Sequence, residues 1–315
     1  MSPSRTDSSA SGAALIVLAA TCFGTLGPLS RFAGDAGVGA LSLVTWRDIL
    51  GAMCVIGFLA VQRRPIFALA GIPRTDRRML VVAAAANTAL NLAIFVAFLR
   101  ISIALALLLF YLYPAFVALA GVLWFGERLD RLRWAALGVS LSGVVLVVGG
   151  GASLGAVDML GVGLALFAGG VQAVYVLLAR HGFNAVPGPQ AAVLTMSGAV
   201  VFLLAIGVVS GQAAAFAQPL ASIAAFWPVL LAGTLGAGIP TVTFIVGIRR
   251  LGASRGAILA TLEPVVGVAL AALLLGERPV ALQLVGGALI IVAGVLLQLG
   301  AGREAADHEA LAEAS

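Results

Sequence analysis

The sequence predicts an all-α membrane protein in which ten transmembrane helices form two five-helix repeats of inverted topology around a central cavity. Three observations support this prediction: the composition, the number of apolar runs and an internal duplication. Of the 315 residues, 62% are hydrophobic and 10% are charged, whereas about a quarter of a soluble domain is charged. So few charges cannot coat a surface that faces water, and most of the surface must therefore face lipid.

Ten apolar runs follow one another along the chain, and each is long enough to be a membrane-spanning helix. A helix rises ~1.5 Å per residue, so ~20 residues cross a hydrocarbon core of ~30 Å. The runs lie at 12–30, 41–61, 79–98, 102–123, 133–149, 159–179, 190–209, 227–248, 254–275 and 280–299.

The arginines between these runs indicate the orientation of the helices. If the N-terminus is cytoplasmic, 14 of the 18 arginines fall in cytoplasmic segments, and the exceptions are Arg31, Arg47, Arg100 and Arg278. Cytoplasmic loops of membrane proteins carry an excess of basic residues. We therefore expect a multi-pass protein of the cell inner membrane with both termini in the cytoplasm.

The chain repeats itself after 150 residues. This shift places Tyr113-Pro114 on Glu263-Pro264 and Gly126-Glu127-Arg128 on Gly276-Glu277-Arg278. Each half then holds five spans, and an odd number of crossings forces the two halves to enter the membrane in opposite orientations. Inverted repeats of this kind are typical of secondary transporters. The predicted segments are tails at 1–11 and 300–315, repeats at 12–149 and 158–299, and a linker at 150–157.

These paired segments, together with Trp46-Arg47 in the second span, resemble the EamA-type members of the drug/metabolite transporter superfamily. The resemblance covers nearly the whole chain. It implies ten helices in two inverted repeats and transport without ATP hydrolysis, often export. The cargoes of that superfamily range over amino acids, other metabolites, nucleotide sugars and drugs. The chain has no lysine, so it cannot contain the lysine-ended phosphate loop of ATP-driven proteins.

Glu263 has the clearest functional interpretation among the acidic residues. It lies near the middle of the ninth span, where an acidic side chain costs about 2.5–3.5 kcal/mol. One hypothesis is that it couples transport to protons or binds an amine of the substrate. The alternative is a structural role, in which the carboxylate is bonded to backbone amides or a neighbouring hydroxyl beside Pro264.

Arg47 and Asp48 lie about a turn and a half into the second span. In one interpretation Arg47 binds a carboxylate of the substrate. In the other, which the sequence favours, it forms a structural pair with Asp48, with Glu263 or with a lipid headgroup. Glu127 and Glu277 lie at helix ends beside arginines and are interpreted as structural hairpin residues.

Six further polar residues lie at or close to the middle of their spans and are predicted to bind the substrate. Asn87 and Asn91 are four residues apart and share one face of the third helix, which Phe95 and Phe98 continue. The shift of 150 residues maps Asn91 onto Thr241, so both halves carry a polar group at equivalent depth. The alternative is hydrogen bonding between helices, worth ~0.6 kcal/mol on average. The six residues are Asn87, Asn91, Tyr111, Gln172, Tyr175 and Thr241.

The inventory of reactive side chains argues against an enzyme. The two histidines, His181 and His308, lie in a loop and in the C-terminal tail, and the two cysteines lie in apolar runs. Neither a His-Glu-x-x-His zinc pattern nor an intramembrane Ser/His dyad is present. We therefore expect no catalytic residue, no metal and no cofactor.

The expected partners are a small-molecule metabolite and the lipid bilayer, with the chain as a monomer or a homodimer. Nucleic acid is excluded because the net charge of +5 comes from arginines in short loops and not from one basic face. We expect a secondary active transporter of an amino-acid-like or related amphipathic solute that works by alternating access, with export favoured and proton coupling as one hypothesis. The alternatives are a passive facilitator or uptake permease for the same solutes and, in a different class, a lipid-linked-sugar flippase.

Overall fold

The structure is a computed structural model that describes residues 5–66, 71–125, 130–152, 158–183 and 185–313. Two sequence predictions fall outside these residues. They are the first Gly-Glu-Arg segment, at 126–128, and most of the linker, at 153–157.

The described chain folds into fourteen α-helices with short connections. One 3-10 helix, Ala213–Leu220, precedes α10, and one π-helical turn, Thr234–Gly238, joins α10 to α11. The helices are α1 Arg5–Gly24, α2 Leu26–Asp35, α3 Ala40–Val61, α4 Arg74–Arg100, α5 Ile103–Phe110, α6 Tyr113–Phe125, α7 Arg131–Ala152, α8 Met159–His181, α9 Gly188–Val209, α10 Ile223–Gly233, α11 Ile239–Leu251, α12 Ala253–Ala260, α13 Leu262–Leu275 and α14 Ala281–Glu313.

These helices form ten apolar spans, which confirms the prediction of an all-α membrane protein with ten transmembrane helices. Within the described residues, nine stretches are long and apolar enough to cross a membrane, and a shorter apolar helix, Ala281–Leu297, forms the tenth. The nine are Ala10–Asp35, Ala40–Val61, Arg74–Arg100, Ile103–Trp124, Arg131–Gly150, Met159–Ala179, Gly188–Val209, Ile223–Leu251 and Ile258–Leu275. In chain order these nine stretches are spans 1 to 9, and Ala281–Leu297 is span 10. Helix also continues into both predicted tails, since α1 begins at Arg5 and α14 ends at Glu313.

Spans 1, 4, 8 and 9 are interrupted near the middle, and a proline accounts for each interruption. Proline has no N–H group, so the carbonyl four residues earlier loses its helical donor. Three of these spans divide into two helices, and span 8 contains the π-helical turn instead. The prolines are Pro28, Pro114, Pro240 and Pro264, and the carbonyls that lose a donor belong to Gly24, Phe110, Gly236 and Ala260.

The spans of the two halves pack against each other. Span 1 packs against span 8, and span 3 packs against span 6. Span 2 packs against span 7, span 5 against span 10, and α5 of span 4 against α13 of span 9. Exchanging the two halves leaves this set of pairs unchanged, because span 1 corresponds to span 6 and span 3 to span 8.

Glycines allow two of these pairs to approach closely. A Cβ atom at Gly247 of α11 would lie 3.0 Å from the carbonyl oxygen of Gly12 in α1. In spans 5 and 10, a Cβ atom at Gly143 would lie 2.6 Å from the carbonyl oxygen of Gly286. Contacts between small residues are a usual way for helices to pack in membranes, where no water is available to drive association.

The most buried helix is α5, the first half of span 4. Every residue from Ile103 to Leu109 is buried, and these residues belong to the largest core cluster. The interruption at Phe110 therefore lies inside the bundle, where a loss of helical hydrogen bonds must be compensated by protein groups.

Candidate functional site

A buried charged pair in span 2 forms the centre of the candidate site. The Arg47 Nη1 atom donates to Asp48 Oδ1 at 2.8 Å. Asp48 is completely buried and Arg47 is 7% exposed. A charge that is removed from water without a partner is very unfavourable, so each residue stabilises the other in its buried position.

Asn87 and Asn91 of span 3 extend this pair. The Asn87 Nδ2 atom donates to Asp48 Oδ2 at 3.2 Å, so both carboxylate oxygens of Asp48 have a partner. Asn91 Nδ2 donates to the backbone oxygen of Asn87 at 2.8 Å and to Asn87 Oδ1 at 3.0 Å. The two asparagines therefore share one face of α4, as the spacing predicts.

Phe95 lies one turn further along the same helix and covers the guanidinium group. The Arg47 Cζ atom lies 5.8 Å from the centre of the Phe95 ring, which is within the range of a cation–π interaction. The ring also contacts Phe98 edge-on, with 5.7 Å between centroids. Of the predicted stripe of two asparagines and two aromatic residues, Asn87 and Phe95 therefore contact span 2.

Tyr111 and Glu263 meet where spans 4 and 9 are interrupted. Tyr111 follows the end of α5, and Glu263 lies in the first turn of α13. The Tyr111 hydroxyl hydrogen-bonds to the Glu263 carboxylate, and the Arg47 guanidinium is close enough to interact electrostatically with that carboxylate. The two interruptions thereby bring a second acidic group to the Arg47–Asp48 pair.

The ring of Tyr111 is held by two aromatic neighbours. Its centroid lies 5.8 Å from that of Phe110 and 5.7 Å from that of Tyr113. Tyr111 is 7% exposed, so packing fixes the hydroxyl that meets Glu263.

Tyr175 of span 6 joins the same cluster from the other side. Its hydroxyl hydrogen-bonds to the Thr195 hydroxyl of span 7, and Asp48 is close enough to interact with it electrostatically. Thr195 is 2% exposed and was missed by the sequence analysis. A signal for it exists, because the shift of 150 residues maps Thr45, two residues before Arg47, onto Thr195.

Gln172 and Thr241, also predicted to bind substrate, stand apart from these contacts. Both are partly buried, Gln172 in α8 and Thr241 in α11. No hydrogen bond or ion pair found among the described residues joins either side chain to the charged cluster. Their role in binding stays a prediction.

A cavity of about 410 Å³ lies near one end of spans 3 and 6, away from the charged cluster. None of the predicted binding residues lines it. Its walls are mostly apolar and come from the ends of α4, α6 and α8. The lining residues are Thr75, Asp76, Met79, Trp124, Val174, Leu177, Leu178 and Gly182.

Glu277 makes a long-range contact at the opposite end of span 3. Its carboxylate accepts hydrogen bonds from the backbone nitrogens of Ile103, at 2.9 Å, and Ala104, at 3.2 Å. It therefore caps the N-terminus of α5, where unpaired N–H groups favour an anion. The hairpin interpretation of Glu277 missed this partner, which lies in the other half of the chain.

Two further charged contacts lie at the same end of the bundle. Arg31 Nη2 donates to the Ile101 carbonyl at 2.9 Å and lies 3.9 Å from Glu277 Oε1. Arg100 Nε lies 2.8 Å from Asp158 Oδ2. Although desolvation raises the pKa of Asp158, the N–H groups of Gly161 and Leu160 and the Arg100 guanidinium hold it below its usual value.

Taken together, an apolar ten-span bundle with interrupted helices and a charged polar cluster within it defines a class of protein. Discontinuous spans that place polar groups near the midplane are typical of transporters for small solutes. The comparison with known families agrees. The EamA-like transporter family matches residues 10–149 and again residues 159–299. The chain belongs to this family.

Individual relatives are also transporters. An uncharacterized transporter of Archaeoglobus fulgidus is 28% identical over 287 residues, which cover 91% of this chain and 95% of that protein. A probable terminal-alkyne amino-acid exporter of Streptantibioticus cattleyicolor is 33% identical over 208 residues, or 64% of this chain and 66% of that protein. One solved crystal structure has a TM-score of 0.63 at 20% identity, covering 95% of this chain and 99% of the other. That last similarity concerns the fold alone.

Proposed function

We propose that this transporter is a secondary active exporter of a small amino-acid-like metabolite across the inner membrane. The observation that carries the proposal is the buried cluster in which the Arg47–Asp48 pair meets Asn87 and the Tyr111–Glu263 contact. Three charged side chains within an apolar bundle are costly to the folded protein. A function that needs them there is the simplest reason for their presence.

Alternating access of two inverted halves is the proposed mechanism. The odd number of spans in each half supports the inversion, and so does the pairing of span 1 with span 8 and of span 3 with span 6. Repeats at 12–149 and 158–299 would then rock against each other around the cluster. The arginine distribution supports cytoplasmic termini, which makes the Glu277 end of the bundle the external one.

The nature of the cargo is supported by the site and by one relative. The cluster offers a guanidinium, two carboxylates, two amides and the hydroxyls of Tyr111 and Tyr175, which suits a small solute with several polar groups. The relative named as an amino-acid exporter supports both the amino-acid character and the outward direction. Gln172 and Thr241 are proposed to line the path of the cargo.

Glu263 is the proposed coupling residue. It lies beside an interruption of its own span and is partly buried. Its carboxylate contacts Tyr111 and interacts electrostatically with Arg47. A carboxylate in this position can bind either a proton or the ammonium group of the cargo. Competition between the two would exchange a proton for a cargo molecule.

Counterflow in proteoliposomes tests the proposal. The purified chain is reconstituted into liposomes that enclose unlabelled amino acids. A labelled amino-acid mixture is then added outside, with and without a pH gradient. We expect wild-type protein to exchange amino acids and to concentrate them when the gradient is applied. Glu263→Gln should lose the response to the gradient, while Glu277→Gln, the same change two residues beyond the end of α13, should keep it.

The outcomes of this assay separate the alternatives. Exchange that ignores the gradient in wild-type protein identifies a facilitator or permease. No exchange of any soluble solute contradicts the proposed function and directs attention to lipid-linked sugars. A Glu263→Gln protein that still responds to the gradient removes Glu263 from the coupling.

A further inference from the structure

We infer that the Nε edge of the Arg47 guanidinium is a subsite for the carboxylate of the cargo, while Glu263 receives its ammonium group. The cargo is then a zwitterionic amino acid and not an organic cation or a phosphate ester. This inference rests on the proposed function and specifies the substrate class of the same site.

The first step is an inventory of the hydrogen-bond donors of Arg47. A guanidinium has five N–H donors and no acceptor. Nη1 is used by Asp48 at 2.8 Å. Nε is buried and has no hydrogen-bond partner among the described residues, and the whole side chain is only 9% exposed. A buried charged donor without an acceptor is unfavourable, so the site lacks one acceptor group.

The second step concerns the acceptors in the neighbouring contacts. Asp48 Oδ1 accepts from Arg47 and Oδ2 accepts from Asn87. Asn87 Oδ1 accepts from Asn91. None of these oxygens forms a hydrogen bond with Nε, so these contacts do not supply its acceptor.

The third step is the direction from which an acceptor can approach. Phe95 covers a face of the guanidinium, with 5.8 Å from Cζ to the ring centre. The Nε–H group, which has no partner among the described residues, lies in the plane of the guanidinium and forms one edge of it with an Nη group. Two oxygens of one carboxylate fit such an edge with parallel hydrogen bonds, which is the preferred geometry of arginine with carboxylates.

The fourth step is the charge balance of the cluster. Arg47 is paired with Asp48 at 2.8 Å. It also interacts electrostatically with Glu263, which contacts Tyr111. A cluster with one cation and two carboxylates disfavours a dianion such as a phosphate ester. An organic cation satisfies Glu263 but leaves Nε without an acceptor. A zwitterion supplies the acceptor to Nε and an ammonium group to Glu263, and leaves the net charge unchanged.

A competition series in wild-type proteoliposomes tests this inference without any variant. Counterflow of the labelled amino-acid mixture is measured against excess L-leucine, L-phenylalanine or L-threonine, and against the amide and the decarboxylated amine of each. We expect at least one amino acid to compete, and its amide and amine to compete about tenfold more weakly or worse, since each lacks the carboxylate. N-Acetylation of the same amino acid should weaken competition as well, because the ammonium group is lost.

Two variants sharpen the result. Arg47→Lys keeps the charge but loses the planar edge, so we expect a higher KM for the amino acid and a smaller difference between the amino acid and its amide. Arg250→Gln, an exposed arginine at the end of α11, is the matched control and should behave as wild type. Amides and amines that compete as well as the amino acid would overturn the inference while leaving transport intact. Absence of any counterflow would instead contradict the proposed function.

Discussion

Exchanging the two halves converts one pair of packed spans into another, yet the two pairs differ in whether their helices are continuous. Spans 1 and 8 pack together and both are interrupted, whereas spans 3 and 6 pack together as unbroken helices. The shift of 150 residues places Leu178 opposite Pro28 and Leu90 opposite Pro240. Two prolines therefore account for the difference, because each removes a backbone donor in one pair and not in the other.

The polar cluster follows the same division. Asn87 and Asn91 of span 3 and Tyr175 of span 6 belong to the continuous pair and contact one another or Asp48. The interrupted pair packs through glycines such as Gly12 and Gly247. A binding site is most exact when rigid elements hold it, and helix interruptions provide places where a span can bend. We therefore expect the interrupted pair to move and the continuous pair to hold the cargo.

The largest expected effect concerns the Arg47–Asp48 pair of span 2, which the continuous pair contacts through Asn87. Asp48→Ala leaves Arg47 as an uncompensated buried charge, which should lower the free energy of unfolding by about 3–5 kcal/mol and abolish transport. Thermal unfolding in detergent and counterflow measure the two effects. The exposed Asp35→Ala is the control, and the double variant Arg47→Gln/Asp48→Asn should regain stability but not transport. A stable, active Asp48→Ala protein would show that the pair is dispensable.

Moving the interruption from one pair to the other is the next test. Leu90→Pro introduces into span 3 the proline of span 8, and should cost ~3 kcal/mol more than Leu90→Ala because the helix is continuous there. Pro240→Ala should change stability by less than about 1 kcal/mol but slow transport, since span 8 becomes straighter. Thermal unfolding and initial counterflow rates check both variants. If Leu90→Pro is no less stable than Leu90→Ala, the two pairs do not differ as described.

How far the sequence predicts this molecule depends on whether the signal lies within one span or between spans. The ten spans, the duplication and the shared face of Asn87 and Asn91 follow from periodicity along the chain, and the structure agrees with them. The interruptions were equally visible, since each follows from a proline in an apolar run, but the sequence analysis drew no such inference from Pro28 or Pro240.

Partners between distant spans were harder to predict. Arg47 had three candidate protein or lipid partners in the sequence, and only the packing of span 2 shows that Asp48 is the one within hydrogen-bonding distance. Glu277 caps α5 from 174 residues away, a contact that depends on how spans 4 and 9 cross. The contact between Thr195 and Tyr175 likewise depends on how two spans, 7 and 6, are placed.

A smaller effect is expected at the cap between the two interrupted spans 4 and 9. Glu277→Ala removes the acceptor for the Ile103 and Ala104 N–H groups, which should cost ~0.5–2 kcal/mol of stability. Glu277→Gln keeps an acceptor and should cost less. Thermal unfolding of the two variants against wild type measures the difference, and equal stability of all three would show that the cap contributes nothing.

The smallest effect on stability is expected at Asn91 and Thr241, the two positions that the duplication makes equivalent. Asn91→Ala and Thr241→Ala should each cost only ~0.6 kcal/mol. We expect transport to fall more in Asn91→Ala, because Asn91 orients Asn87 toward Asp48, than in Thr241→Ala, because Thr241 has no described contact with the charged cluster. Counterflow rates of the two variants decide this. An equal loss in both would show that the interrupted pair lines the site as fully as the continuous pair.

Ligand-induced stabilisation tests most directly whether an amino acid binds at Arg47. A ligand at 100 times its Kd stabilises the protein that binds it by ~2.7 kcal/mol, which raises Tm. We predict that the same concentration of an amino-acid mixture raises the Tm of wild-type protein and of Arg250→Gln, and raises the Tm of Arg47→Lys much less. The same rise in Arg47→Lys as in wild type, or no rise in any of the three proteins, would contradict a binding site for amino acids at this cluster.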